Sequence, residues 1–336
     1  MKKQWITILL SICVPICFIL DILFGSVQIP FQGFVDVVRG DGADSLWYNI
    51  IVHLRLPKAT AALLAGMALP VSGLLMQTLF RNPLADPYVL GVSTGASLGV
   101  ALFSLSGGAA VAAFSWIAGS VGVAVSALIG STAVIFLILS VATKIRDNAS
   151  LLIIGIMLGS ITSAVVNVLQ YFSKPDEVHN FLLWTMGSFS NIGATELAIM
   201  ACCIIPTVIA TLCIHKPLDA VLLGENYARG LGVRTSFLRT AVIVSSAILA
   251  AIVTAFAGPI GFVGMTVPHV ARFIFKSDNH KSLIINSVLI GMNLLLICDL
   301  ISQLPGTQSM LPINTVTAIF GAPIVILVIY RGRQHR

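Results

Sequence analysis

The chain has 336 residues, of which 57% are hydrophobic and 10% charged, with a net charge of +6 and a mean hydropathy of +0.99. An average soluble domain carries about 25% charged residues. The composition therefore excludes an ordinary soluble protein and predicts an all-α, polytopic membrane protein. Ten spans of about 20 residues would leave only short loops. We therefore treat residues 1–336 as one transmembrane domain.

Apolar runs in chain order predict ten transmembrane helices. Pro57 suits the first turn of the second helix, and Gly66 and Gly73 give that helix faces that another helix can approach closely. Gly155 and Gly159 predict a similar face on the fifth helix. The predicted bounds are about 6–29, 59–80, 88–105, 115–142, 151–172, 196–214 and 238–256, a short interrupted helix within 258–272, then 283–304 and 315–330.

The segment 218–233 lies between two long apolar runs, yet it carries Asp219, Glu225 and Arg229. A charged side chain at the centre of a bilayer costs about 2.5 to 3.5 kcal/mol, so the segment is expected outside the membrane. Its pattern predicts two short helices hinged at Gly224, with Glu225 and Arg229 on one face. Such a segment is either a solvated connector or a docking element for a soluble partner.

The distribution of basic residues predicts the orientation. Ten spans place both termini on one side of the membrane. If that side is the cytoplasm, all 19 Lys and Arg residues are cytoplasmic except Arg39, Arg55, Lys58 and Lys174. The positive-inside rule therefore predicts cytoplasmic termini, with residues 82–87 and 218–233 also on the cytoplasmic face.

Motifs for catalysis or metal binding are weak. Gly91–Gly95 fits the G-x-S-x-G pattern of a hydrolase with Ser93 as nucleophile, but no strand is predicted before it. His269 follows Pro268 in the interrupted helix, where a structural role is the simpler interpretation. The six cysteines show no metal-ligand spacing. No P-loop motif occurs, so any use of ATP would need another polypeptide.

Four stretches together resemble a known family, the permease subunits of type II ABC importers for iron-siderophores, haem or cobalamin. They are Arg55-Leu56-Pro57-Lys58, residues 81–96, residues 222–232 and residues 258–272. Trp184-Thr185-Met186-Gly187 and Gly321-Ala322-Pro323 agree as well. The resemblance runs from the first predicted helix to the last.

The resemblance implies a homodimer of ten-helix subunits in the inner membrane, with two ATPase subunits docked below it and one substrate-binding protein above it. Lipid surrounds such a permease; no cofactor, metal, catalytic residue or nucleic acid is expected. The 218–233 segment corresponds to the coupling helices that sit in a groove of the ATPase. The coupling residues implied are Leu222, Leu223, Gly224, Glu225 and Arg229.

The resemblance also implies roles on the two faces of the membrane. Arg55 and Lys58 match basic positions that meet acidic residues of the binding protein, although Gln303 stands where some relatives carry a further Arg. On the cytoplasmic side, the constriction of the pathway matches Asn82 and Leu84, with Asn148 and Ala149 opposing them. We expect a ferric siderophore as substrate, with cobalamin or haem as alternatives.

Two rival functions remain open from the sequence. An ion-coupled secondary transporter would use intramembrane carboxylates such as Asp21 and Asp299. An intramembrane hydrolase would use Ser93 or His269.

Overall fold

The computed structural model describes residues 2–25, 27, 29–39, 46–105, 120–142, 148–277, 279–303 and 310–334. Every regular element within these ranges is helical. Seven helical segments are long and apolar enough to span a membrane, and three shorter helices are also apolar.

The helices follow one another with short connections. A π-helix, Asn49–Arg55, runs directly into the α-helix that begins at Leu56, and a 3-10 helix, Pro87–Leu90, precedes the α-helix that begins at Val92. The α-helices are α1 (Lys2–Leu23), α2 (Phe31–Arg39), α3 (Leu46–Tyr48), α4 (Leu56–Phe80), α5 (Val92–Ser104), α6 (Ser120–Ala142), α7 (Asn148–Phe172), α8 (Pro175–Thr185), α9 (Ala194–Cys213), α10 (His215–Leu222), α11 (Glu225–Gly230), α12 (Thr235–Ala257), α13 (Val263–Phe275), α14 (His280–Ser302) and α15 (Ile313–Gln334).

Each of the ten predicted transmembrane helices has a counterpart, namely α1, α4, α5, α6, α7, α9, α12, α13, α14 and α15. Pro57 occupies the first turn of α4, as predicted. The helical segment that contains α4 begins earlier than expected, at Leu46, because the π-helix continues it without a break.

Helix α4 lies at the centre of the fold. Its most apolar stretch is 83% buried, and it packs against α9, α12, α13 and α14. Its hydrophobic residues show almost no preference for one face, which is typical of a helix surrounded by protein. Outer helices such as α7 and α9 leave long apolar faces uncovered, as a lipid-facing or partner-facing helix requires.

Two glycines of α4 allow the close packing that the sequence predicted. A Cβ atom at Gly73 would lie only 1.8 Å from the carbonyl oxygen of Gly264 in α13. A Cβ atom at Gly66 would lie 2.6 Å from the carbonyl oxygen of Gly291 in α14. Both neighbours are backbone atoms, which cannot move aside as a flexible side chain can. Helices α13 and α14 therefore approach α4 to a distance that only glycine permits.

Candidate transport and coupling sites

The polar segment 218–233 forms two short helices, α10 and α11, joined at Gly224. Gly224 has a φ of 127° and a ψ of 144°, a conformation that is essentially restricted to glycine. The hinge predicted at this residue is therefore present. On α11, Arg229 Nη2 lies 3.5 Å from Glu225 Oε2, across one helical turn, with both side chains about half exposed. An exposed pair of this kind contributes little stability.

The two helices differ in what their apolar residues contact. Leu218 is buried against the transmembrane core. Four large apolar side chains are instead exposed, and together they define what we call the coupling surface; they are Leu222, Leu223, Tyr227 and Leu231. Leu223, in the hinge, is 71% exposed. Uncovered apolar residues outside the hydrocarbon region favour a protein partner over a solvated connector.

Arg81 joins this segment to the central helix. Arg81 caps α4 in a left-handed conformation with a φ of 47°, and its guanidinium donates to the carbonyl of Val221 in α10 at 3.0 Å. A cavity of about 500 Å³ lies between Arg81 and the start of α11, with Leu223, Gly224 and Tyr227 in its wall. The coupling surface is thus concave at the hinge.

The loop after α4 holds Asn82 and Leu84 at a sharp turn. Asn82 Oδ1 accepts a hydrogen bond from Leu84 N at 3.0 Å, an Asx turn that fixes both residues. The Leu84 side chain is 38% exposed. His269 Nε2 in α13 lies 2.5 Å from the carbonyl oxygen of Pro83, which ties the loop to α13. His269 therefore has a structural partner, as the simpler interpretation of the sequence predicted.

Asp86, in the same loop, is buried. Its carboxylate accepts from Tyr88 N at 3.0 Å and so caps the 3-10 helix. The carboxylate also accepts from the backbone of Met265 in α13. Burial raises the pKa of Asp86 to about 6, since these hydrogen bonds only partly offset the loss of water around the charge.

Asn148 and Ala149, the other two residues predicted at the cytoplasmic constriction, lie at the first positions of α7. Their side chains lie outside the described part of the structure. Helix α7 contacts α4, but the proposed opposition of these residues to Asn82 and Leu84 stays a prediction.

A further cavity, of about 600 Å³, lies between the start of α5 and the face of α7. It was not predicted from the sequence. Its wall consists mainly of small and polar residues, namely Tyr88, Gly91, Thr94, Gly155, Ile156, Gly159, Ser160, Ser163, Ala164 and Asn167. A Cβ atom at Gly159 would meet Thr94 Oγ1 only at 3.6 Å. Gly159 therefore faces α5 at an ordinary contact distance, where glycine is not required. The helical spacing of Ser160, Ser163 and Asn167 was the available signal.

Arg55 and Lys58, predicted to meet a partner outside, are buried inside the chain. Arg55 donates to the carbonyl oxygens of Ile22 at 2.7 Å, of Leu23 at 2.8 Å and of Val27. Lys58 Nζ lies 3.0 Å from Asp299 Oδ2. Their docking role stays a prediction, because in this structure both charges have partners within the chain.

The two carboxylates that a secondary transporter would need lie in this same cluster. Gln303 Nε2 donates to Asp21 Oδ1 at 2.8 Å and approaches Asp299 Oδ2 at 3.4 Å. Two carboxylates and the two bases, Arg55 and Lys58, thus meet where α1, the π-helix, α4 and α14 converge. Lys58 pairs with Asp299, and Gln303 bridges the two carboxylates, which favours a structural cluster over an open proton relay.

Ser93 does not have the setting of a hydrolase nucleophile. It lies in the first turn of α5, and the residues immediately before it form a 3-10 helix, not a strand. A nucleophile elbow needs a strand that leads into a helix. The hydrolase hypothesis therefore loses its structural basis at this position.

The chain resembles known permeases in sequence. The chain is 32% identical over 298 residues to the vitamin B12 import system permease protein BtuC of Citrobacter koseri, covering 89% of this chain and 88% of the relative. The BtuC protein of Salmonella typhimurium is also 32% identical, with 89% of each chain covered.

Among solved structures, one described as an inward-facing conformation of a metal-chelate type ABC transporter superposes with a TM-score of 0.84. It is 27% identical, and the superposition covers 98% of this chain and 99% of that one. PsaBC from Streptococcus pneumoniae, solved in complex with a Fab, has a TM-score of 0.55 at 13% identity and shares the fold. The family model of the FecCD transport family matches residues 13–331. The chain is therefore a member of the FecCD transport family.

Proposed function

We propose that this chain is the membrane-spanning permease subunit of an ABC importer and that it carries a metal chelate into the cell. The observation that carries the proposal is the coupling surface, a set of exposed apolar side chains held by Gly224 on two helices too polar to enter the bilayer. Its partner would be an ATPase subunit. Family membership and the similarity to BtuC permeases support this choice of partner.

The substrate would pass along the face of α7. The cavity beside Ser160, Ser163 and Asn167 offers small and polar side chains without a fixed charge, which suits a large ligand that must not bind tightly. Asn82 and Leu84, with Asn148 and Ala149, would narrow the cytoplasmic end. Cobalamin, ferric siderophores and haem all fit this description, and a separate binding protein would select among them.

The assembly would lie at the inner membrane and contain two copies of this chain, two ATPase subunits and one binding protein. Both termini of this chain would be in the cytoplasm. The uncovered apolar faces of α7 and α9 are available for the second copy and for lipid. On the outer side, the binding protein would reach Arg55 and Lys58 only if their internal partners release them.

Purification of the chain from its native membranes in a mild detergent tests the proposal. We expect a P-loop ATPase to co-purify at one copy per permease. Leu223→Asp should remove the ATPase, because it places a charge at the most exposed point of the coupling surface. Leu183→Asp is the matched control, since Leu183 is an exposed leucine on α8.

Two results would contradict the proposal. One is a chain that purifies without any ATPase in several mild detergents. The other is uptake that survives depletion of ATP and stops when the proton gradient is collapsed, which would favour the secondary transporter.

A further inference from the structure

A hydrogen-bonded chain with a buried imidazole at its centre connects the coupling helix α10 to two transmembrane helices. Asp219 Oδ1 in α10 lies 2.7 Å from His280 Nδ1 and accepts from His280 N at 2.8 Å. On the other side of the imidazole ring, His280 Nε2 lies 2.8 Å from Thr78 Oγ1 in the last turn of α4. Three residues that are distant in sequence thus join α10, α14 and α4.

The strength of these hydrogen bonds depends on how far they are buried. The His280 side chain is 1% exposed and that of Asp219 33%. Water therefore competes little for the hydrogen bonds of the ring. A charged hydrogen bond in such surroundings is stronger than a surface pair, and the carboxylate holds two donors of one residue at once, which fixes α10 against the start of α14.

Thr78 also binds within its own helix, since its hydroxyl lies 2.8 Å from the carbonyl oxygen of Leu74. A carboxylate only accepts, so His280 Nδ1 carries the hydrogen that points to Asp219. The imidazole ring therefore bridges a side chain of α10 and a side chain of α4.

We propose that the chain formed by Asp219, His280 and Thr78 is a rigid strut that makes α10 move as one body with α4 and α14. The proposal rests on the proposed function, because it describes how a displacement of the coupling helices by the ATPase would reach the membrane. As positioning residues, the three would act by holding these helices together. The bond from Arg81 to Val221 also links α4 to α10, but it is exposed.

Spin labels on the complete transporter, permease with its bound ATPases, test the strut. One label replaces Lys216 in α10 and the other Ile285 in α14, both exposed positions. Electron resonance then gives the distance between them with and without ATP. We expect one narrow distance that ATP does not change, because α10 and α14 move together.

Asp219→Asn is the main test variant, since it keeps the shape of a partly exposed side chain and removes the charge. We expect ATP to produce a second, shifted distance in this variant and in His280→Ala. The exchanged pair Asp219→His with His280→Asp should restore the single distance, which a merely structural defect would not allow. His215→Ala is the control, because the His215 ring hydrogen-bonds to Leu212 in the preceding turn, and it should behave as the unmodified protein.

Three results are decisive. Unchanged distances in both Asp219→Asn and His280→Ala would overturn the strut, and so would an ATP-dependent shift in the unmodified protein. Co-purification of the ATPase is measured on the same samples. Its absence from the unmodified protein would mean that the proposed function has failed, whereas its presence together with unchanged distances in both variants would mean that only the strut has failed.

Discussion

Lys58 Nζ lies 3.0 Å from Asp299 Oδ2, in an ion pair that joins α4 to α14 and is largely hidden from solvent. Next to it, Gln303 links Asp299 to Asp21 of α1. Three helices that are far apart in sequence are therefore held together by polar groups at one end of the bundle. Such groups are costly in an apolar interior unless they satisfy each other.

The Lys58 pair predicts a strong asymmetry between single and double variants. Lys58→Met should lower the free energy of unfolding by about 3 to 5 kcal/mol, because it leaves the buried carboxylate of Asp299 without its ion-pair partner. The double variant with Asp299→Leu should recover most of that loss. Thermal unfolding in detergent measures both. A double variant no more stable than Lys58→Met would show that the pair does not act as a unit.

Gly73 should not tolerate alanine. The added methyl group would lie 1.8 Å from a backbone oxygen of α13, so α4 and α13 would have to separate, and we expect little or no folded protein in the membrane. Gly159→Ala is the control, because its methyl group would find ordinary contact distances. Equal amounts of folded protein from the two variants would contradict the close approach.

Gly224→Ala should act through the backbone alone. Nothing lies within 4 Å of a Cβ atom there, but the φ of 127° is strained for alanine, at a cost of about 1 to 3 kcal/mol. We expect the hinge of the free permease to relax away from this conformation, so that binding of the ATPase weakens by about 5- to 150-fold with little change in the unfolding temperature of the permease. Gly230→Ala, which also has open space but no positive φ, should bind normally. Affinity for the purified ATPase is the measurement.

Asp86 predicts a dependence of stability on pH. Its pKa is about 6 in the folded protein and about 3.9 when unfolded, so the folded state binds more protons between these values. The free energy of unfolding therefore falls as pH rises from about 4 to 6, by roughly 2 to 3 kcal/mol from this group. Asp86→Asn cannot titrate at this position. The unmodified protein should thus gain stability relative to Asp86→Asn on acidification from pH 7 to 4.5, measured by thermal unfolding; a constant difference would refute the assignment.

Ser163→Trp should obstruct the cavity beside α7. Ser163 is exposed and lines that cavity, so a bulky ring there should reduce substrate uptake at least tenfold while ATP hydrolysis continues. Val165→Trp places the same ring on another exposed part of α7 and should leave uptake near normal. Uptake is measured with a probe that the unmodified protein transports, and cyanocobalamin is the first probe to assay. Normal uptake of that probe by Ser163→Trp would exclude this route.

The sequence predicted the ten helices because each is a local property of the chain. A run of apolar residues long enough to cross hydrocarbon has few alternatives, and Gly66 and Gly73 recur at the spacing of a helix face. The hinge at Gly224 was also predictable, since charged residues on both sides exclude the segment from the bilayer. The local signal is weaker at Gly159, which faces α5 at an ordinary contact distance and lines a cavity.

What the tertiary structure decided is which distant residues meet. Arg55 and Lys58 could not be separated from surface residues by sequence, because their partners in α1 and α14 are brought near only when the helices pack. The same holds for Asp219, His280 and Thr78, whose positions give no local sign of a common hydrogen-bonded chain. Hydrophobic length and charge asymmetry determined the helices and their expected sidedness. Packing around α4 determined which polar groups are buried and paired, since a buried polar group must find its partner in three dimensions.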